Sequence, residues 1–153
     1  MKIGVISDTH GFLDPKVADI FAGVSHILHA GDMGGDSIIA ELEAIAPVTA
    51  VLGNTDSSPT FRLTEVVTLG QRKFIVHHIV NPHALKENLQ LQFARERPDA
   101  VVFGHTHKAF CETIGGVLYL NPGYAGKPKF DAERTVAILH CGEKEIRPEF
   151  LSL

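Results

Sequence analysis

Five short runs of Ile, Val, Leu and Phe each lead into side chains able to bind a cation. Residues 3–7 run into Asp8-Thr9-His10, residues 26–30 into Gly31-Asp32, and residues 48–52 into Gly53-Asn54-Thr55-Asp56. Residues 74–76 precede His77-His78, and residues 101–103 precede Gly104-His105-Thr106-His107. Oxygen and imidazole donors without thiolate suit Mn²⁺, iron, Zn²⁺ or Ni²⁺. A single Asp-x-His pair arises by chance, but five such clusters in order argue for a metal-dependent site. Glycines at 31, 53 and 104 fit the same reading, because a residue without Cβ lets the chain leave a strand sharply and pass close to a ligand.

Something must bring these clusters together. Residues 2–7, 26–29, 48–52, 72–77 and 100–103 have the continuous apolar character of strands buried on both faces. Helices are predicted between them. Asp14-Pro15 opens the first, with Val17, Ile20, Phe21 and Val24 on one face. The second starts at Asp36, buries Ile38, Ile39, Leu42 and Ile45, and stops before Pro47. The third runs from Asn81-Pro82 through Leu85, Leu89 and Phe93 to Pro98. In such α/β layers the carboxyl ends of the strands share one edge, so all five clusters can converge there. Beyond residue 103 the pattern becomes hairpins, 109–114 with 117–120 around Gly115-Gly116 and 134–140 with 144–150 around Cys141-Gly142-Glu143. Residues 61–69 also read as a strand. The extra strands predict two stacked sheets with helices outside, and residues 121–132 are the longest expected loop.

At 153 residues and 44% apolar content, the chain fills one core, so a single domain over 1–153 is expected. The 21% charged content excludes a disordered chain or a membrane span. A net charge of −4 provides no basic field for a polyanion, which argues against a nucleic-acid partner. The first apolar run is broken by Asp8 and His10, too early for a signal peptide or a membrane anchor, and a cytoplasmic protein is expected. There, Cys111 and Cys141 are expected to be free thiols.

Taken as an ordered set, Asp8-x-His10, Gly31-Asp32, Gly53-Asn54-x-Asp56, His77 and Gly104-His105-x-His107 resembles the calcineurin-like metallophosphoesterases motif for motif, from Lys2 to about Tyr124. The compact length and Asn121-Pro122-Gly123 are most similar to the small YfcE-type phosphodiesterases. The resemblance implies an α/β fold, a four-layer αββα sandwich of two mixed β-sheets flanked by helices. It also implies two divalent ions. Asp8, His10, Asp32 and His107 would hold one, and Asp32, Asn54, His77 and His105 the other, with Asp32 bridging. Manganese is the expected ion, and iron, zinc or nickel are the alternatives. The implied reaction is hydrolysis of a small phosphodiester by attack of a metal-bound hydroxide, with Asp32 and Asn54 in the catalytic centre.

Two positions depart from the family pattern. Thr55 stands where many relatives carry a histidine that protonates the leaving group, and a hydroxyl is a poor acid near neutral pH. His78 stands where the family usually has glycine. It is either a substitute acid or an outward-facing side chain without a role, and the register after Val76 also allows it to replace His77 as ligand. The spacing from Gly70 favours His77. His29 either braces a ligand carboxylate or simply fills its strand, and Asp56 either orients the metal loop or closes a local turn. Asn121 and Gly123 resemble a loop on the phosphate side, with a plain turn as the alternative, and Asp36 reads as a helix cap. His26, His83 and His140 read as ordinary side chains. The expected partners are a small phosphate ester and, at most, further copies of the chain. The alternative function is a non-catalytic protein-binding scaffold of the same fold, similar to the retromer subunit.

Overall fold

The computed structural model describes all 153 residues. In chain order the elements are β1 (Lys2–Ile6), α1 (Lys16–Ile20), β2 (His26–His29), α2 (Asp36–Glu43), β3 (Val48–Ala50), β4 (Thr64–Leu69), β5 (Arg72–His77) and α3 (Glu87–Glu96), then β6 (Ala100–Val102), β7 (Phe110–Ile114), β8 (Val117–Asn121), β9 (Thr135–Cys141) and β10 (Ile146–Ser152). They form two five-stranded sheets, ordered β10-β9-β1-β2-β3 and β4-β5-β6-β8-β7. Both are mixed. In the first, β1, β2 and β3 are parallel and the β9-β10 hairpin adds antiparallel to β1. In the second, β5, β6 and β8 are parallel between antiparallel β4 and β7.

Three apolar clusters divide the molecule into four layers. Ile3, Val5 and Leu28 of the first sheet meet Phe74, Val76, Val102 and Leu120 of the second, forming the core between the sheets. On the outer face of the first sheet, Ile6 and Ile27 pack with Val17 and Phe21 from the α1 segment and Ile38, Ile39 and Leu42 of α2. Behind the second sheet, Ile75, Val101 and Tyr119 pack with Leu89 and Phe93 of α3. The order is helices, sheet, sheet, helix. This is the predicted αββα sandwich, and it explains why the parallel strands read as uninterrupted apolar runs: each is covered on both faces.

The helices are shorter than their apolar spacing suggests. α3 begins six residues after Asn81 because the Asn81 side chain accepts the His83 N–H at 3.2 Å and its carbonyl accepts the Ala84 N–H at 3.0 Å. That local turn competes with a helical start, as asparagine commonly does. α1 ends at Ile20, yet Phe21 and Val24 remain buried on turns that continue its apolar face. Asp14 does close this segment's entrance, accepting the Lys16 N–H at 2.9 Å and pairing with Arg134 at 2.9 Å. Asp36 is the first residue of α2 rather than its cap, which is Gly35. The hairpin turn after β9 spans four residues, closed by the Gly142 N–H on the Glu145 carbonyl, one step beyond the predicted position.

Phe21 lies flat against β1, where a Cβ on Gly4 would sit 3.0 Å from its ring carbons. Truncating this fully buried ring removes the contact that seats the α1 segment on the sheet. Phe21→Ala is expected to cost about 3–5 kcal/mol in urea unfolding. A loss below about 1 kcal/mol would contradict this packing.

Candidate metal centre

All five predicted clusters lie at the carboxyl ends of the parallel strands, and the two sheets bring them to one edge. On the first sheet, backbone bonds continue past the strands: Asp8 N–H to Gly31 O (3.0 Å), His10 N–H to Asp32 O (3.0 Å) and Gly11 N–H to Met33 O (2.8 Å). On the second sheet, the Gly104 N–H donates to the His78 carbonyl at 3.0 Å. Two bonds then cross between sheets, from the His105 N–H to Asp8 Oδ2 at 3.1 Å and between His78 Nδ1 and the Ala30 carbonyl at 2.7 Å.

The backbone is strained here. Six non-glycine residues have left-handed φ, and five of them are Asp8 (57°), His10 (47°), Asp32 (55°), His105 (74°) and His107 (62°). Each such residue costs of order 1–3 kcal/mol and persists only where its surroundings fix it, so strain concentrated on these donors marks a functional site. Glycine is required at two exits. A Cβ on Gly53 would overlap the Asp32 carboxylate and backbone nitrogen, and one on Gly104 would overlap the Ser7 hydroxyl and approach Asp8 Oδ2 to 2.7 Å.

Each buried carboxylate has one oxygen committed and one left over. Asp8 Oδ2 accepts from the Ser7 hydroxyl at 2.7 Å and from the His105 N–H, whereas Asp8 Oδ1 is buried without any hydrogen-bond partner. That oxygen faces Nε2 of His107 (3.3 Å), His10 (3.8 Å) and His78 (3.9 Å). Asp32 Oδ1 accepts the Thr55 N–H at 3.0 Å, and Oδ2 faces His78 Nε2 at 3.2 Å and His10 Nε2 at 3.8 Å. Burial opposes ionisation of Asp32, but the Thr55 N–H and the neighbouring imidazoles outweigh it and hold its pKa below the ordinary value. Asn54 Oδ1 lies 3.1 Å from both His78 Nε2 and His105 Nδ1.

An orphaned buried carboxylate oxygen surrounded by imidazole nitrogens fits a divalent cation. Two three-residue groups have donor atoms mutually within 4.8 Å: Asp8, His10 and His107, and Asp8, Asp32 and His78. Asn54 and His105 extend the second. Asp8, His10, Asp32, Asn54, His105 and His107 are therefore brought together at this edge.

His77 is not among them. Its Nδ1 bonds to the Thr64 hydroxyl at 2.7 Å on the neighbouring strand, and His78 occupies the position expected of it. Strand alternation explains the exchange. Phe74 and Val76 face the other sheet, so His78 follows them inward, while Ile75 and His77 share the face toward α3. Both other readings of His78, an outward-facing side chain without a role and a substitute acid, are also corrected. The residue is 3% exposed, and its Nδ1–H is committed to the Ala30 carbonyl, leaving Nε2 as a lone-pair donor toward the cluster.

Other side chains brace the site. Asp56 accepts the N–H groups of Gly53 (2.9 Å), Met33 (3.2 Å) and Gly34 (3.2 Å), tying two donor loops together. Asn121 is fully buried and turns away from the phosphate role its motif suggested: its amide donates to the Gly104 carbonyl (3.0 Å) and the Thr106 hydroxyl (3.1 Å). Ser7 and Tyr124 carried no spacing signal. The Tyr124 ring stacks on His107 at 4.9 Å, with Lys129 Nζ 4.7 Å above the ring.

The sequence model described as the calcineurin-like phosphoesterase superfamily domain matches residues 1–144. The fold is that of a metallophosphoesterase. The chain belongs to this calcineurin-like superfamily. It is 34% identical over 154 residues to a probable metallophosphoesterase of Methanothermobacter thermautotrophicus, covering 94% of this chain and 88% of that one. It is 32% identical over 157 residues to the phosphodiesterase YfcE of Escherichia coli K12, covering 84% and 82%. Among solved structures, Vps29 of Entamoeba histolytica superimposes with a TM-score of 0.78 at 22% identity, over 100% of this chain and 99% of that one, a likeness of fold.

His29 supports the donor loops from beneath. Its Nδ1 accepts the Gly31 N–H at 3.1 Å, so Nε2 carries the proton toward the Thr9 hydroxyl at 3.0 Å, which donates to the Met33 carbonyl at 2.8 Å. It braces backbone rather than a carboxylate. Full burial lowers its pKa from 6.5 to about 4. The unfolded chain takes up this proton below about pH 6.5 while the folded chain refuses it until about pH 4, so stability falls as pH drops through that window. The contribution is about 3 kcal/mol. In chelator-treated protein, His29→Gln should show a shallower pH dependence of unfolding free energy between these limits than wild type; equal slopes would contradict the buried neutral imidazole.

Proposed function

We propose that this chain is a binuclear metal-dependent phosphoesterase that hydrolyses small phosphodiesters. The observation that carries this reading is Asp8 Oδ1, a buried carboxylate oxygen without a hydrogen-bond partner, aimed at three imidazoles beside a second buried carboxylate. Asp8, His10, Asp32 and His107 would hold one ion, and Asp32, Asn54, His78 and His105 the other, Asp32 being shared. Manganese is the ion we favour, with iron, zinc or nickel as alternatives that oxygen and imidazole donors also suit. Such a pair of ions supplies a water of lowered pKa and positive charge against the phosphoryl oxygens.

The chain's own groups set up that chemistry. Ser7 and the His105 N–H lock Asp8 Oδ2, which fixes the direction of Oδ1. The Ala30 carbonyl holds His78 in the tautomer that presents Nε2. Only two carboxylates enter the donor set and Asn54 is neutral, so two doubly charged ions leave a net positive site for an anionic ester. His78 spends its Nδ1–H on the Ala30 carbonyl, and the Thr55 hydroxyl is a poor acid near neutral pH, so neither provides an acid for the departing oxygen. Esters with good leaving groups are the favoured substrates. The phosphodiesterase YfcE, a relative by sequence, supports a diester over a monoester.

With a chromogenic aryl phosphodiester and Mn²⁺, the protein should show turnover that chelator abolishes. Asp32→Ala and His78→Ala should each lower kcat/KM by at least about 100-fold, whereas His77→Ala should stay within about fivefold of wild type. Loss in His77→Ala with full activity in His78→Ala would reverse the ligand assignment. Absence of metal-dependent turnover would favour the scaffold reading.

A further inference from the structure

The cavities bordering the metal centre differ in character. One beside Thr55, lined by Asp36, Asp56 and Ser58, is polar and acidic, and one beside His107 mixes Asp131 and Glu133 with Lys108, Ala109 and Ala132. The groove leading from Gly104 and His105 is different. It encloses about 540 Å³, and Ile79, Val80, Phe103 and Phe110 form its walls, with Asn81 and Lys108 at the rim. That volume lies in the usual small-molecule range of about 300–1,000 Å³. Val80 and Phe103 are buried, and the Phe103 and Phe110 rings meet edge to face at 5.9 Å, making a rigid apolar wall.

Ile79 is the informative residue. It follows His78 directly, is 42% exposed amid polar donors, and also lines a smaller groove of about 240 Å³ that begins at Asn54 and contains Leu63. It is thus the ridge between two apolar grooves that start from opposite sides of the Asn54, His78 and His105 set. A phosphorus atom held there carries two arms if it is a diester and one if it is a monoester.

Resting on the phosphodiesterase reading above, we propose that the larger groove receives one ester substituent, that it selects a flat apolar group such as an aryl ring over a small alkyl group, and that Ile79 is its specificity-determining wall. The groove is continuous with the centre through His105, and its Phe103 and Phe110 walls have no counterpart in the cavities beside Thr55 and His107. Water displaced from Ile79 and Phe110 on binding provides the preference.

The test compares phenyl 4-nitrophenyl phosphate with methyl 4-nitrophenyl phosphate, which release the same chromophore, using the Mn²⁺-loaded protein. In Ile79→Gln, and separately in Phe110→Ala, the phenyl-to-methyl ratio of kcat/KM should fall about tenfold, the scale of one lost apolar contact. An unchanged ratio in both variants would overturn the proposal while leaving the hydrolase reading intact. If wild type cleaves neither ester, the hydrolase reading fails and the groove is judged by binding. In metal-free, methyl-labelled protein, phenol should shift the Ile79 and Val80 methyl resonances and tert-butanol should not. Equal shifts with both probes, or none, would overturn it.

Discussion

Two carboxylates placed close together out of water are the constraint on which the rest of this molecule turns. Asp8 and Asp32 are both buried, with oxygens within 4.8 Å of each other and of His78 Nε2. Burying like charges is costly unless positive charge is supplied. Protein donors reach only half of each group. The Ser7 hydroxyl and His105 N–H satisfy one oxygen of Asp8, the Thr55 N–H satisfies one of Asp32, and the other oxygens point into a ring of imidazoles. No cationic Lys or Arg pairs with either carboxylate, which leaves a cation as the natural complement to the arrangement.

Holding that arrangement requires the chain to leave its strands abruptly. Five donor-bearing positions take up left-handed backbone, and the strain is offset by the bonds that continue the parallel ladder through Gly31, Asp32 and Met33 and by the buried braces His29, Asp56 and Asn121. The two sheets provide the rigid base. Because the core between them is continuous from Ile3 and Leu28 to Phe74 and Val102, donors from separate halves of the sequence are fixed relative to one another without any loop of their own spanning the gap. Just past the end of β5, buried His78 turns to the donor cluster and Ile79 remains at the surface between the apolar grooves.

Most of this was legible because its signals are local. Apolar runs marked the strands, and the polar residues closing each run marked the donors. The ambiguity between His77 and His78 had a physical cause. In a strand buried on both faces, residues of both parities are apolar, so Phe74-Ile75-Val76 cannot reveal which parity faces the partner sheet. Only the packing of Phe74 and Val76 against the other sheet decides it. α3 starts later than the spacing predicts because Asn81-Pro82 suits a helix entrance and an isolated Asx turn equally well. Tyr124 and Ser7 were silent, since their roles arise from contacts with His107 and Asp8 that no spacing encodes.

We propose that the unpaired oxygens of Asp8 and Asp32 hold two cations. Anomalous diffraction from crystals grown with Mn²⁺ addresses it directly. We expect two peaks about 3.5–4 Å apart on either side of Asp32, with Asp8 Oδ1 bound to one ion and His78 Nε2 to the other. A single peak remote from Asp32, or none at saturating Mn²⁺, would show that these carboxylates do not hold a metal pair.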